Sequence, residues 1–201
     1  MDEWYLREWA GVDPANGSPL WYTTDENGKR TTTDSYNKAD RVYCGSAAPK
    51  FTGGWMNSFS YKGFTLTANF DFVYGNLLYN QSRELLDSDG AYADYNSMKL
   101  KSGWKRWEKE GDIATHPKAI NGGNKNSNKS SSRYLEKGNY FSLRNLSLGY
   151  SIPEKLCGKL GLQRVNVSCS ADNLFTLTPF SGYLPNCRTA VPTVMQVLSI
   201  R

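Results

Sequence analysis

Residues 60–76, "SYKGFTLTANFDFVYGN", are the stretch that decides the fold. Alternate positions in it are apolar or aromatic, and the positions between them are mostly small or polar. Because successive side chains of a strand point to opposite faces, this period of two predicts a strand with one apolar and one polar face. The periodicity does not say whether a protein core or membrane lipid covers the apolar face. That face carries Phe64, Leu66, Ala68, Phe70, Phe72 and Tyr74.

Further strands are predicted on both sides of this stretch. Residues 52–61 precede it, and the two residues Lys62 and Gly63 between them form a tight hairpin turn. Residues 138–151 and 164–172 alternate in the same way. Weaker strands are predicted at residues 3–10 and in the final segment "TVMQVLSIR". Short helices are possible in "NQSRELLDS", "YNSMKLKSGWKRWEKEGD" and "EKLCGKLG".

The connections between these strands alternate between short and long. Long connections cover residues 11–50, 76–136 and 173–192, whereas the other connections are short. This alternation is typical of outer-membrane barrels, which have short periplasmic turns and long external loops. Within the first long connection, "PLWYT" and "KRTTT" flank a turn and predict a local hairpin. In the second, the run "NGGNKNSNKSSSR" at 121–133 is expected to be mobile.

The composition excludes several classes of protein. No run approaches the roughly 18 apolar residues of a membrane helix. The net charge of +5 comes from scattered basic residues, which predicts a solvated surface and no nucleic-acid partner. His116 is the only histidine and is expected to lie in a mobile loop, so neither a metal site nor a Ser/His/Asp set is expected. Asp87 and Asp89 lie in turn-rich sequence with no sign of a cleft, so no enzyme and no cofactor are predicted.

The four cysteines are Cys44, Cys157, Cys169 and Cys187. Their spacing matches neither a metal knuckle nor a compact disulfide framework. We therefore interpret them as small buried or incidental residues. A pairing of Cys44 with Cys187 in outer loops remains open.

Four motifs, in order along the chain, resemble those of one family. They are "YLREWAGVDPANGSPLWY", "APKFTGGWMNSFSYKGFTLTANFDFVYGN", "SSRYLEKGNYFSLRNLSLGYSIP" and "SADNLFTLTPFSGYLP". Together they resemble the SusC/RagA type of TonB-linked outer-membrane transporters. The resemblance implies an all-β fold: an antiparallel transmembrane β-barrel segment, formed by the last six or so of 22 strands, with long extracellular loops. It departs from the family where "SGYLPN" lacks the two acidic residues of the usual segment.

The resemblance also implies a function and its partners. Such a transporter imports an oligosaccharide or oligopeptide across a Gram-negative outer membrane, with energy supplied through TonB. A SusD-like surface lipoprotein acts as its lid. Residues 1–201 are expected to be the C-terminal portion of the barrel, without the plug domain or the TonB-contacting segment. The N-terminus lacks the pattern of a signal peptide, which fits a piece of a longer chain.

Candidate contact residues follow from the same resemblance. Tyr95, Trp104 and Trp107 are expected in an external loop, where they contact the substrate or the lid, or else pack inside their own loop. Phe64, Leu66, Phe70, Phe72, Leu146, Leu148 and Tyr150 are expected to face lipid. Five polar residues are expected to face the lumen: Asn69, Asp71, Asn145, Asn166 and Asp172. As a lumen residue, Asp71 is expected to need no partner.

The alternative is a soluble β-sandwich module that binds carbohydrate through exposed aromatic residues. It explains the 13% aromatic content and the strand alternation, but not the alternating loop lengths. The barrel interpretation predicts one curved antiparallel sheet, with strands in sequence order and the row from Phe64 to Phe72 on its convex side. A sandwich would instead bury that row in a core between two sheets.

Overall fold

The computed structural model describes residues 2–92, 94–95, 98–159, 165–182 and 191–193. The chain divides into two compact units. We call Met1–Ala48 with Leu77–Glu136 the loop unit, and Pro49–Asn76 with Lys137–Arg201 the sheet unit.

The described elements are mostly strands, numbered here in chain order. The strands are β1 (Glu3–Arg7), β2 (Trp9–Val12), β3 (Pro19–Thr24), β4 (Arg30–Thr33), β5 (Arg41–Ser46), β6 (Phe51–Tyr61), β7 (Phe64–Tyr74), β8 (Leu77–Tyr79), β9 (Leu135–Lys137), β10 (Tyr140–Ser151), β11 (Asn166–Leu177) and β12 (Val191–Thr193). Two short α-helices accompany them, α1 (Gln81–Leu86) and α2 (Glu154–Lys159), together with single 3₁₀ turns at Tyr36–Lys38 and Ser132–Tyr134. Neither described helix has the length and apolar character that a membrane span requires.

The sheet unit contains one antiparallel sheet in the order β12-β11-β10-β7-β6. Its strands are neighbours in sequence order, as predicted, and the all-β antiparallel fold class is confirmed. The Lys62-Gly63 turn is also confirmed, with φ of +45° and +87° at its two residues. Two positive φ values are typical of the turn that follows the right-handed twist of a hairpin.

The prediction for residues 3–10 was wrong in two respects. The segment is split into β1 and β2, and neither belongs to the five-stranded sheet. Instead β1 pairs with β5, and β2 forms a three-stranded sheet with β3 and β4. The hairpin predicted inside the long connection at residues 11–50 is confirmed as β3 and β4. Of the strand expected in the final segment, Thr193 belongs to β12 and the remaining residues lie outside the described ranges.

A β-bulge at Arg144 sets the faces of β10. On β7, Phe70 pairs with Leu143 and the preceding Asn69 pairs with Asn145, so β10 advances by two residues, across Arg144, for one residue of β7. The extra residue shifts the alternation of β10 by one position. Odd-numbered residues before the bulge and even-numbered residues after it therefore share the apolar face of β7.

The pairing register assigns the predicted residues to two faces. The first face carries the seven residues that were expected to face lipid: Phe64, Leu66, Phe70, Phe72, Leu146, Leu148 and Tyr150. The opposite face carries the five that were expected to face the lumen: Asn69, Asp71, Asn145, Asn166 and Asp172. The period-two reading thus separates the two groups correctly, and what each face meets stays a prediction.

The helix predictions had mixed outcomes. The helix in "NQSRELLDS" is confirmed as α1, which begins after Asn80, whose side chain accepts a hydrogen bond from the Arg83 amide. The helix in "EKLCGKLG" is confirmed as α2. No helix forms in the described part of 95–112, where positions 98–112 are turns and irregular backbone. The spacing of Trp104 and Trp107 there reflects loop packing.

Replacing Gly63 by alanine tests the turn. The new Cβ would lie 2.8 Å from the Ser151 carbonyl oxygen, in a left-handed conformation that alanine disfavours. We expect a loss of about 2 kcal/mol in unfolding free energy, measured from the heat- and urea-dependent gel mobility of the folded full-length protein.

The matched control is Gly149→Ala in β10. Its added Cβ would meet neighbours at 3.8 Å or more, without a positive φ. The turn assignment is wrong if both variants unfold at the same urea concentration.

Candidate functional site

The apolar face of the five-stranded sheet is exposed. Trp55 pairs with Phe70 and is 62% exposed, and Phe64 is 52% exposed. Other large residues of this face, among them Phe59, Tyr61 and Leu148, are also exposed. A contiguous apolar area of this kind marks a surface that meets lipid or another protein. It differs from the buried row that a two-sheet sandwich requires.

The polar face holds an ion pair that the sequence analysis did not anticipate. The guanidinium of Arg144 donates from Nε and Nη2 to the two oxygens of Asp71, at 2.7 and 2.9 Å. The Tyr140 hydroxyl donates to the same carboxylate at 3.0 Å. Asp71 was expected to need no partner, and in the structure Arg144 and Tyr140 both bond it. The bulge is the reason, because it turns Arg144 toward the face on which Asp71 lies.

The rest of this face is polar and hydrogen-bonded. The Asn145 amide donates to Asp172 at 2.8 Å across the β10–β11 pair, and Arg144 donates to Asn173 at 3.3 Å. The Asn69 side-chain oxygen is buried and has no hydrogen-bond partner among the described residues. A face with this many donors and acceptors requires water or another polar surface over it.

The loop unit is built around a buried cluster of charges, which we call the ionic core. Asp89 is fully buried and accepts hydrogen bonds from Arg106 at 2.6 Å, from Ser127 at 2.7 Å and from Arg133. Arg83 lies nearby and pairs with Glu136 at 2.9 Å. Partners up to 53 residues apart in sequence are thereby joined in one network.

Asp87 is the second acid of the ionic core. Its Oδ2 lies 2.9 Å from Nε2 of His116, 3.3 Å from Arg83 and 3.4 Å from Arg133. Burial opposes ionisation of this carboxyl. The hydrogen bond to His116 and the positive charges around it outweigh burial and hold the pKa of Asp87 below its usual value.

Tyrosine and arginine complete the ionic core. Burial raises the pKa of Tyr134, whose ring lies 5.4 Å from the Arg133 guanidinium, so the phenol stays neutral. Burial disfavours the charge on Arg133, but Asp89 and the other neighbours raise its pKa overall. The ion pairs join three arginines to three carboxylates, so the net charge of these six groups is zero. Balanced and hydrogen-bonded charges are the form in which burial is tolerated.

Three sequence-based expectations were wrong in this region. His116 is 2% exposed, although it was expected in a mobile loop. The run at 121–133 is packed, because Ser127 and Ser131 are fully buried and Asn124 bonds the Gly17 and Lys118 carbonyls. Asp87 and Asp89 are buried at the centre of the ionic core. They are surrounded by Arg83 and Arg133, two arginines that were expected on a solvated surface. Composition does not indicate these buried contacts, since each of them joins segments that are far apart in sequence.

The three candidate contact residues differ in their surroundings. Trp107 is 8% exposed, donates from Nε1 to the Pro14 carbonyl and lies against Gly17. Its ring packs on the "AGVDPANGSP" segment, which leaves little of its surface for a substrate or lid, and such a contact by Trp107 stays a prediction. Trp104 is half-buried, with its ring 4.3 Å from the Arg83 guanidinium. Tyr95 is 56% exposed and lies 5.3 Å from the Tyr92 ring, so it offers the largest free surface of the three.

The remaining sequence-based candidates concern cysteines and metals. Cys44, Cys157 and Cys169 are free, and Cys187 lies outside the described residues. Within the described ranges, no three His, Cys, Asp or Glu side chains are grouped so that they could hold a metal ion.

Replacing Asp89 by asparagine tests the ionic core. The change leaves Arg133 buried without its main counter-charge, which costs about 3–5 kcal/mol. We expect hydrogen exchange of the amides in 121–133 to become faster by two or more orders of magnitude, as measured by mass spectrometry on the full-length protein.

The control is Asp34→Asn, which removes an ion pair of the same kind at the surface. Asp34 bonds Lys125, and both side chains are about half exposed. Such a pair contributes about 1 kcal/mol or less. Equal effects of the two variants would mean that the ionic core is no more than a surface contact.

Acid should destabilise the ionic core by protonating the carboxylate of Asp87. Because its folded pKa lies below the unfolded value of about 3.9, its contribution is complete above that value and is lost as the pH falls through the folded pKa. Replacing His116 by glutamine weakens the interaction that offsets burial, so the acid transition should move to higher pH. Proteolysis of the loop unit by an acid-stable protease between about pH 1 and pH 5 measures this, and an unshifted transition would contradict it.

Comparison with known proteins gives relatives over most of the chain. No family model matches it. The chain is 32% identical over 176 residues to TonB-dependent receptor P3 of Formosa agariphila, covering 86% of this chain and 16% of the receptor. It is 32% identical over 149 residues to TonB-dependent receptor P39 of the same organism, covering 73% of this chain and 14% of the receptor. The chain therefore spans only about a sixth of the length of these relatives.

Solved structures agree with this likeness. The chain is similar to a chain of the RagAB peptide transporter, with 28% identity and a TM-score of 0.71, covering 90% of this chain and 20% of that one. It is similar to a chain of the RagAB peptide importer in the "open-open" state, with 27% identity and a TM-score of 0.72, covering 89% and 19% of the two chains. The chain belongs to the TonB-dependent receptors of the SusC/RagA type, which are proteins of the Gram-negative outer membrane.

Proposed function

We propose that this chain is the C-terminal portion of the barrel of an outer-membrane importer, together with external loops of that barrel. The five-stranded sheet carries the proposal. One of its faces is apolar and exposed, and the other is polar and hydrogen-bonded. A barrel wall needs one face suited to lipid and one suited to a watery lumen. The plug and the TonB-contacting segment then belong to parts of the transporter outside these residues.

The two faces then have distinct roles. The seven residues from Phe64 to Tyr150 named above face lipid, and the polar set with Asp71 and Asp172 faces the lumen. The backbone of such a strand must be fully paired, because lipid offers no hydrogen-bond partners. The continuous ladders of β7 with β6 and β10 support this role. In the lumen, Asp71 and Arg144 bond each other and present the remaining donors and acceptors to water and to other parts of the transporter.

The cargo is an oligopeptide, with an oligosaccharide as the alternative. Two solved relatives are described as a peptide transporter and a peptide importer, and the likeness extends over about nine-tenths of this chain. Import is driven through TonB, and a SusD-like surface lipoprotein covers the external loops. Tyr95 and Trp104 are the loop residues that contact the cargo or this lid, because both retain accessible ring surface.

The chain makes or breaks no bonds in this role. Its relatives are receptors and transporters. A soluble carbohydrate-binding sandwich is the less favoured alternative, because it would have to leave large side chains such as Trp55 and Phe59 in water.

Uptake by cells tests the proposed function. A Gram-negative strain carrying the complete gene and its lipoprotein partner should accumulate a fluorescent octapeptide, and deletion of the gene or of TonB should abolish this accumulation. A labelled maltohexaose is the comparison cargo. Uptake of the glycan alone would favour the alternative cargo, and uptake that does not depend on TonB would contradict the proposal.

A further inference from the structure

The loop unit contains an open cleft. It has a volume of about 490 Å³ and is bounded by the β3–β4 hairpin, by β5, by Glu8 and by Ser132. A volume of this size accommodates one or two residues of a chain-like ligand. All of its lining residues belong to the loop unit.

The cleft follows an open edge of a strand. Three consecutive residues of β5, Val42–Cys44, line it, whereas no residue of β1 does. In the described sheets β1 is the only strand paired with β5. The cleft therefore runs along the edge of β5 that faces away from β1. A strand edge of this kind presents backbone donors and acceptors that an extended peptide can pair with.

The cleft carries one carboxylate that is not neutralised. Glu8 is paired with Arg30 at 2.8 Å, and that guanidinium also lies 3.7 Å above the Tyr22 ring. Asp40 lines the cleft as well, and among the described residues its carboxylate has neither an ion pair nor a side-chain hydrogen bond. The cleft is thus locally negative in a chain whose net charge is +5. Charge complementarity favours a cationic group.

An aromatic residue also lines the cleft. Tyr43 is 71% exposed and lines the cleft, and its ring is held 5.1 Å from that of Tyr5. A ring that a neighbour already holds in place loses little conformational entropy when the alkyl stem of a long side chain packs on it. Its face also attracts a cation.

We propose that this cleft binds a lysine or arginine side chain of an extended peptide, whose backbone pairs with the open edge of β5. The Asp40 carboxylate accepts the ammonium or guanidinium group, and Tyr43 packs on its stem. This deepens the proposed import function and rests on it. A neutral oligosaccharide would leave both the strand edge and the negative charge of Asp40 unmatched.

Binding of two synthetic octapeptides tests the proposal. They are Gly/Ser-based, differ only in a central Lys or Gln, and are titrated by fluorescence anisotropy into the complete gene product in detergent. The lysine peptide should bind more tightly. Asp40→Asn should weaken it about tenfold, without changing the Kd of the glutamine peptide. Tyr43→Ser should weaken the lysine peptide about threefold.

The control is Glu26→Gln, which removes one negative charge from the exposed turn of the β3–β4 hairpin, outside the lining. It should leave both peptides unaffected. Equal effects of Asp40→Asn and Glu26→Gln would overturn the proposal. Displacement of the lysine peptide by unlabelled maltohexaose would do the same, since it would make the cleft a glycan site.

Failure of this proposal differs from failure of the proposed function. If cells import both peptides equally well and Asp40→Asn changes neither binding nor uptake, only the cleft assignment is wrong. If cells import neither peptide, the import of peptides is wrong.

Discussion

The register of the five-stranded sheet is the constraint on which its two faces depend. Because side chains alternate with a period of two, a slip of one residue would move every apolar side chain of a strand to the polar face. Two local features hold the register. The Lys62-Gly63 turn fixes β6 against β7, and the bulge at Arg144 lets β10 change its phase between Leu143 and Leu146. The same bulge brings Arg144 to Asp71, so the irregularity is stabilised by a bidentate ion pair.

The loop unit depends on a different kind of interaction. Its short strands and six-residue helix provide little apolar core, and the buried side chains are largely charged or polar. A buried ionic network contributes little net stability compared with an apolar core, but it tolerates few alternative arrangements. The ionic core therefore specifies how "RELLDSD", "THPK" and "NSNKSSSR" meet. The same packing positions two tryptophans: Trp104 lies over Arg83, and Trp107 packs on Gly17.

The sequence predicts the features that are local and fails for those that are not. The strands β6, β7 and β10, the hairpin turn and the separation of Phe70 from Asp71 all follow from alternation over about ten residues. The bulge does not, because "LRNLS" contains no glycine or proline to mark it. The ionic core is also invisible to composition, since Asp87 meets His116 29 residues later and Arg133 46 residues later. The only sequence signal of the ionic core was a closely spaced acid pair with arginines on both sides. The Asn and Ser residues of the run at 121–133 indicated a mobile loop instead.

We propose that β7 separates lipid from water. Nitroxide labels placed singly at positions 64–74 of the full-length protein in outer-membrane vesicles test it most directly, through collision rates with oxygen and with a water-soluble nickel chelate. We expect a period of two, with oxygen favoured at Phe64, Leu66, Phe70 and Phe72 and nickel favoured at Thr65, Asn69 and Asp71. Low collision rates with both reagents along the aromatic row would place that row in a protein core and contradict its assignment to lipid.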